Sequence, residues 1–271
     1  MRSTSATESI DYSLGGRCAL LFVIINTFWL PDAQAACGSA APGAYILSQT
    51  CTPAAGFDAS ITTQPGTTIT TSIGSSVLSR ANNGNSAITL SGTTITSTPP
   101  TAANAVFANV IGAGGSGNAT LTIDGGVNTV NLGGSGLDAL AITNVNTGLS
   151  TVSVTSGTTL TILNTVEGNE HDGIDVNASG GGAINVAHNG NGSITTSGGN
   201  GIWAKGTGSG NVNVSVASGV SFLVDNASEL SSGPPIGDDS SPTAGVGNHA
   251  GVHTRAINGN TTVDNLSLIH I

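Results

Sequence analysis

From about Ile61 onward, apolar and polar positions alternate in short runs. Examples are Thr68–Ile73, Ala87–Leu90, Thr94–Thr96, Ala119–Ile123, Val127–Leu132, Thr151–Val154, Thr159–Ile162, Ala183–Val186 and Asn211–Val216. Each run has period two, so one face is aliphatic and the other carries Thr, Ser or Asn, which predicts short half-buried strands. Gly, Asn or Ser bounds each run, and these residues form tight turns. No amphipathic helix is predicted in this stretch.

The runs sit in larger units. Gly136-Leu-Asp-Ala-Leu-Ala, Gly173-Ile-Asp-Val-Asn-Ala, Gly201-Ile-Trp-Ala-Lys-Gly and Gly251-Val-His-Thr-Arg-Ala each open with Gly-aliphatic, and Asn104–Ala108 is a weaker earlier copy. Their starts are 37, 28 and 50 residues apart. Imperfect repeats of this length predict a solenoid, in which each coil of short strands stacks its inward aliphatics on the next. Gly and Asn are expected at the corners, where positive φ is needed. The longest gap holds a polar segment at about 225–248 with Pro234-Pro235 and Asp238-Asp239, which is expected to leave the stack as a loop. In this alignment Asp138, Asp175, Trp203 and His253 share one position, whose side chain is expected to face outward.

Composition agrees with a β-rich chain. Gly (40), Thr (35), Ser (32) and Asn (25) make up nearly half of the 271 residues, whereas only 7% are charged. The net charge is −10, and past Ala35 the only cations are Arg80, Lys205 and Arg255. Nucleic acid is therefore excluded as an expected partner, because no basic surface can hold a phosphate backbone.

Residues 1–35 read as a secretory signal peptide. Arg2 and Arg17 precede the apolar run Cys18–Leu30, Pro31 ends it, and Ala33-Gln34-Ala35 is a small-x-small cleavage signal. Cleavage is expected between Ala35 and Ala36. The run is short for a membrane span, which needs ~20 residues. The chain is thus expected to leave the cytoplasm, and Cys37 and Cys51 are expected to form a disulfide closing a short loop in an oxidising compartment. Residues 36–60 are assigned to an N-terminal cap and 61–265 to the all-β solenoid. Leu266–Ile271 is what CTG-TCT-CTT-ATA-CAC-ATC would encode. That string resembles a sequencing-library adapter end, which predicts that the natural reading frame continues differently.

The signal peptide, the early cysteine pair and the Gly-Ile-x-Ala repeats, best seen in Gly201–Gly219, resemble the passenger region of autotransporters, the type V secreted proteins of Gram-negative bacteria. The resemblance covers most of residues 36–265 and is compositional. It implies a right-handed parallel β-helix that reaches the cell surface or medium through the periplasm and outer membrane, exported through a C-terminal membrane barrel in cis. The final residues carry no such barrel segment. It further implies surface or matrix glycans or proteins of a host or neighbouring cell as partners.

Candidate chemistry is sparse. Gly133–Ala141 fits one copy of a calcium nonapeptide, but such sites share each ion between tandem copies. Glu167, Glu170, His171, Asp172 and Asp175 form the densest ionisable cluster, read as a solvated turn. His249 and His253 lie four apart, which on a strand gives no common ligand face. No catalytic, metal or cofactor residues are assigned. The expected function is a non-enzymatic adhesin-like or display stalk; the alternatives are a carbohydrate-active β-helix enzyme and a self-assembling matrix protein.

Overall fold

The computed structural model describes residues 39–40, 43–45, 49–166, 171–224, 251–265 and 268–270. These residues form an all-β solenoid of three parallel sheets, and none of them is helical. Consecutive strands enter the three sheets in rotation, so each strand pairs with the third before it and the third after it.

The first sheet holds Ser39–Ala40, Ala59–Thr63, Ser86–Leu90, Ala119–Ile123, Ser150–Val154, Ile184–His188, Val212–Val216 and Thr261–Asn265. The second holds Gly43–Tyr45, Thr67–Thr71, Thr94–Ser97, Val127–Leu132, Thr159–Asn164, Asn191–Thr196, Val220–Val224 and Leu268–His270. The third holds Gln49–Cys51, Val77–Asn82, Val106–Ile111, Leu140–Asn144, Ile174–Ala178, Ile202–Gly206 and Val252–Ala256. The ladders therefore run back to Ser39, and residues 39–40, 43–45 and 49–51 already pair with the coil that follows them.

The period-two pattern sets which side chains enter the core. Ile61, Ile88, Leu121, Val152, Val186 and Val214 form one inward column on the first sheet. Ile69, Ile95, Val130, Ile162, Ile194 and Phe222 form its counterpart on the second. Val77, Val106, Leu140, Ile174 and Ile202 form the third. All are buried. Each aliphatic removed from water contributes roughly 1.5–3 kcal/mol before entropy is counted, so the columns carry the fold. Cys51 ends the first third-sheet strand, is fully buried and is disulfide-bonded. Its expected partner Cys37 lies outside the described residues, as do the cleavage-site residues Ala33, Ala35 and Ala36.

The corners use left-handed glycines, such as Gly92, Gly125 and Gly157, together with side-chain amides. Among the described non-glycine residues only Asn83 has positive φ, at 63°. Several corner Asn and Asp residues accept hydrogen bonds from the next coil. The Asn85 N–H donates to Asp58 Oδ1 at 2.7 Å, the Asn118 N–H to Asn85 Oδ1 at 2.9 Å, and the Leu149 N–H to Asn118 Oδ1 at 2.7 Å. Asn164 is fully buried at the end of its strand. Its Nδ2 donates to the carbonyls of Leu137, His171 and Asp172 at 2.9, 3.0 and 3.0 Å, tying two coils together. The segment at 225–248 lies outside the described residues; the strands on either side of it remain in their sheets.

Candidate binding face on the third sheet

Register decides where the chemistry-bearing residues fall, and it differs from the Gly-aliphatic alignment. Gly136-Leu-Asp and Gly173-Ile-Asp are not equivalent. Leu140 pairs with Ile174 and Ile142 with Val176, so Ala141, not Asp138, stands beside Asp175. The physical reason is the core. This register puts two aliphatics of each strand on two aliphatics of the next, whereas the Gly-matched register would set Leu137 on Ile174 and leave Ile142 without a stacked partner.

Asp138 consequently faces a neighbouring backbone rather than solvent, and is 7% exposed. Its own N–H donates to Asn104 Oδ1 at 3.0 Å, and its Oδ1 accepts the Asp172 N–H at 2.9 Å. Asp172 Oδ1 in turn accepts both the Asn200 N–H and, at 3.1 Å, Asn200 Nδ2. Asn104, Asp138 and Asp172 thus form a ladder of side-chain acceptors just before the third-sheet strands, which Asn200 ends as a donor. The rungs are 34, 34 and 28 residues apart. The lone nonapeptide match has its acidic oxygen committed to this ladder.

The ionisable cluster expected as one solvated turn is divided. Asp172 is 2% exposed in the ladder, Asp175 lies on the outer face of the third sheet, and His171 is half-buried. Burial pushes the His171 imidazole below its usual value, outweighing the opposing bond to the Leu137 carbonyl. Glu167, Glu170 and His249 lie outside the described residues. The described residues contain no group of three or more His, Cys, Asp or Glu placed to share a metal ion.

The third sheet instead gathers residues that the sequence scatters. One outward column runs Leu78, Phe107, Ala141, Asp175, Trp203 and His253. The next runs Arg80, Asn109, Thr143, Asn177, Lys205 and Arg255. All three cations beyond Ala35 therefore lie in a single column of a chain with net charge −10. The strands of the first and second sheets carry no Lys, Arg, Asp or Glu except Asp264.

Trp203 and His253 are half-buried and in ring contact, with centroids 4.1 Å apart and planes tilted by 57°. Lys205 and Arg255 are register partners, so their backbones are one rung apart, ~4.8 Å. Like charges directly opposite each other on a sheet face are unfavourable. Asp175, His253 and Arg255 each have a further interaction within the chain. Arg80 Nε, Asn109 Oδ1 and Asn177 Oδ1 are buried without a hydrogen-bond partner among the described residues. Buried polar atoms left unpaired cost about 1–3 kcal/mol each, so this column is unlike the fully used acceptor ladders at the corners.

No protein-family model, no curated protein and no solved structure matches this chain.

Proposed function

We propose that this chain is the exported passenger of a surface or secreted β-solenoid system and acts without catalysis, as an adhesin-like display scaffold. The observation that carries the reading is the asymmetry of the three faces. Two carry mostly Thr, Ser and Asn, with no Lys, Arg, Asp or Glu on the described strands except Asp264 and with Leu163 and Leu223 exposed on the second, which suits solvation along a rigid rod. The third collects the cations, Trp203 and unsatisfied amides. A scaffold that presents one recognition face uses its solenoid as support and its outward columns for contact. The outward strand positions of that face hold one carboxylate, Asp175, whereas glycoside hydrolysis usually employs a pair.

Expression of the full chain in a Gram-negative host, followed by fractionation and N-terminal sequencing, tests the export half of the reading. The expected product is periplasmic and begins at Ala36. Full-length chain retained in the cytoplasm with Met1 intact contradicts it.

A further inference from the structure

We propose that the outer face of the third sheet binds an acidic polysaccharide. Lys205 and Arg255 hold its anionic groups, Trp203 supports the apolar face of a sugar ring, and Asn177 accepts a sugar hydroxyl. This deepens the scaffold reading above by naming its ligand class, and it rests on that reading for its biological setting only.

Three independent features meet here. First, charge: an acidic chain places every cation beyond its leader in one column, with Lys205 and Arg255 stacked as direct neighbours. An anion set between two stacked cations converts their repulsion into charge-assisted hydrogen bonds, the strong kind. Second, unmet polarity: Asn109 is 7% exposed, and its Oδ1, like that of Asn177, lacks a donor among the described residues. The column therefore calls for a ligand that brings hydroxyl donors as well as negative charge. Third, Trp203 lies two residues before Lys205 on the same strand, so both face outward, and it offers an amphipathic ring to a pyranose. Acidic glycans carry all three complements on one linear chain. A nucleic acid would need a denser field of positive charge than three cations supply.

The test uses the full chain with Trp29→Phe, which leaves Trp203 as the sole tryptophan. Its fluorescence is titrated with polygalacturonate, with a sulfated glycan, with neutral dextran and with poly-glutamate. Saturable binding to either acidic glycan supports the site, and the stronger of the two identifies the preferred anion. Added salt is expected to weaken binding. Lys205→Ala is expected to weaken it about tenfold, the usual size for one charged hydrogen bond. Lys205→Arg should restore it, and Asn213→Ala on the first sheet should leave it unchanged. A melting curve for each variant confirms that the fold is intact. Absence of saturable binding to both acidic glycans, equal binding to dextran or poly-glutamate, or an unchanged affinity in Lys205→Ala overturns the proposal. Release of new sugar ends during the titration would contradict the non-catalytic reading while leaving the binding site standing. Failure of export would contradict the scaffold reading and leave the titration result untouched.

Discussion

His188 shows how a single side chain sets a pH limit on the whole stack. It ends the run Ile184, Val186, His188 on the inward face, is fully buried, and has Val154 and Val216 as register partners. Neither ring nitrogen has a hydrogen-bond partner in any other described residue, and burial outweighs the contact with its own backbone. Burial holds its pKa at about 4, against a usual 6.5. The unfolded chain therefore takes up a proton between these values while the folded chain does not. Stability is full above about pH 6.5 and falls as pH drops toward 4. The gap corresponds to at most about 3.4 kcal/mol. His188→Leu should raise the melting temperature at pH 5 by more than at pH 7.5 and flatten the profile between. An equal shift at both pH values would show that His188 does not govern the slope. The alternation that predicts Ile184 and Val186 inward also reaches His188, so the position was legible; what concealed it was the polar identity of the residue.

Strands were the most legible elements, because a short aliphatic-polar alternation has one buried face wherever it sits. The sequence pattern fails at register, since every Gly-aliphatic opening looks alike and the choice among them is made by pairing across coils. Asp138 and Asp175 share a local motif yet lie on different elements of the coil, one in the acceptor ladder and one on the outer strand face. The same limit concealed the cation column. Arg80, Lys205 and Arg255 are far apart in sequence, and only the paired register brings them into line. Gly and Asn were both expected at corners for their tolerance of positive φ; glycine takes that role, whereas Asn does so only at Asn83 among the described residues and elsewhere, as at Asn85 and Asn118, accepts the next coil's N–H. This ladder makes its own prediction. Asp138→Asn keeps the accepting oxygen, as Asn104 does in the preceding rung, and should change stability by less than about 0.5 kcal/mol. Asp138→Ala orphans the buried Asp172 N–H and should cost about 1–3 kcal/mol. Equal, large losses for both variants, measured by urea denaturation, would assign the carboxylate charge a role that the ladder does not give it.

At the scale of the molecule, stability is a sum of coil-to-coil contacts, so the register of one pair of coils propagates to all faces. A shift of one residue would turn each inward column outward. A shift of three would place Asp138 beside Asp175 and misalign the aliphatic columns. The three-sheet register is thus the claim on which the core, the acceptor ladder and the cation column all depend. It is tested most directly by paired cysteines with the native disulfide left in place. Thr143→Cys with Asn177→Cys joins register partners on the third sheet, at a backbone spacing of ~4.8 Å that a disulfide can bridge. Asp138→Cys with Asp175→Cys joins the positions that match in the Gly-aliphatic repeat. Mild oxidation of each folded variant, followed by mass mapping of the linked peptides, should give a near-complete 143–177 bridge and little 138–175 bridge. The reverse pattern, a 138–175 bridge without the 143–177 one, would contradict the register and with it the binding face.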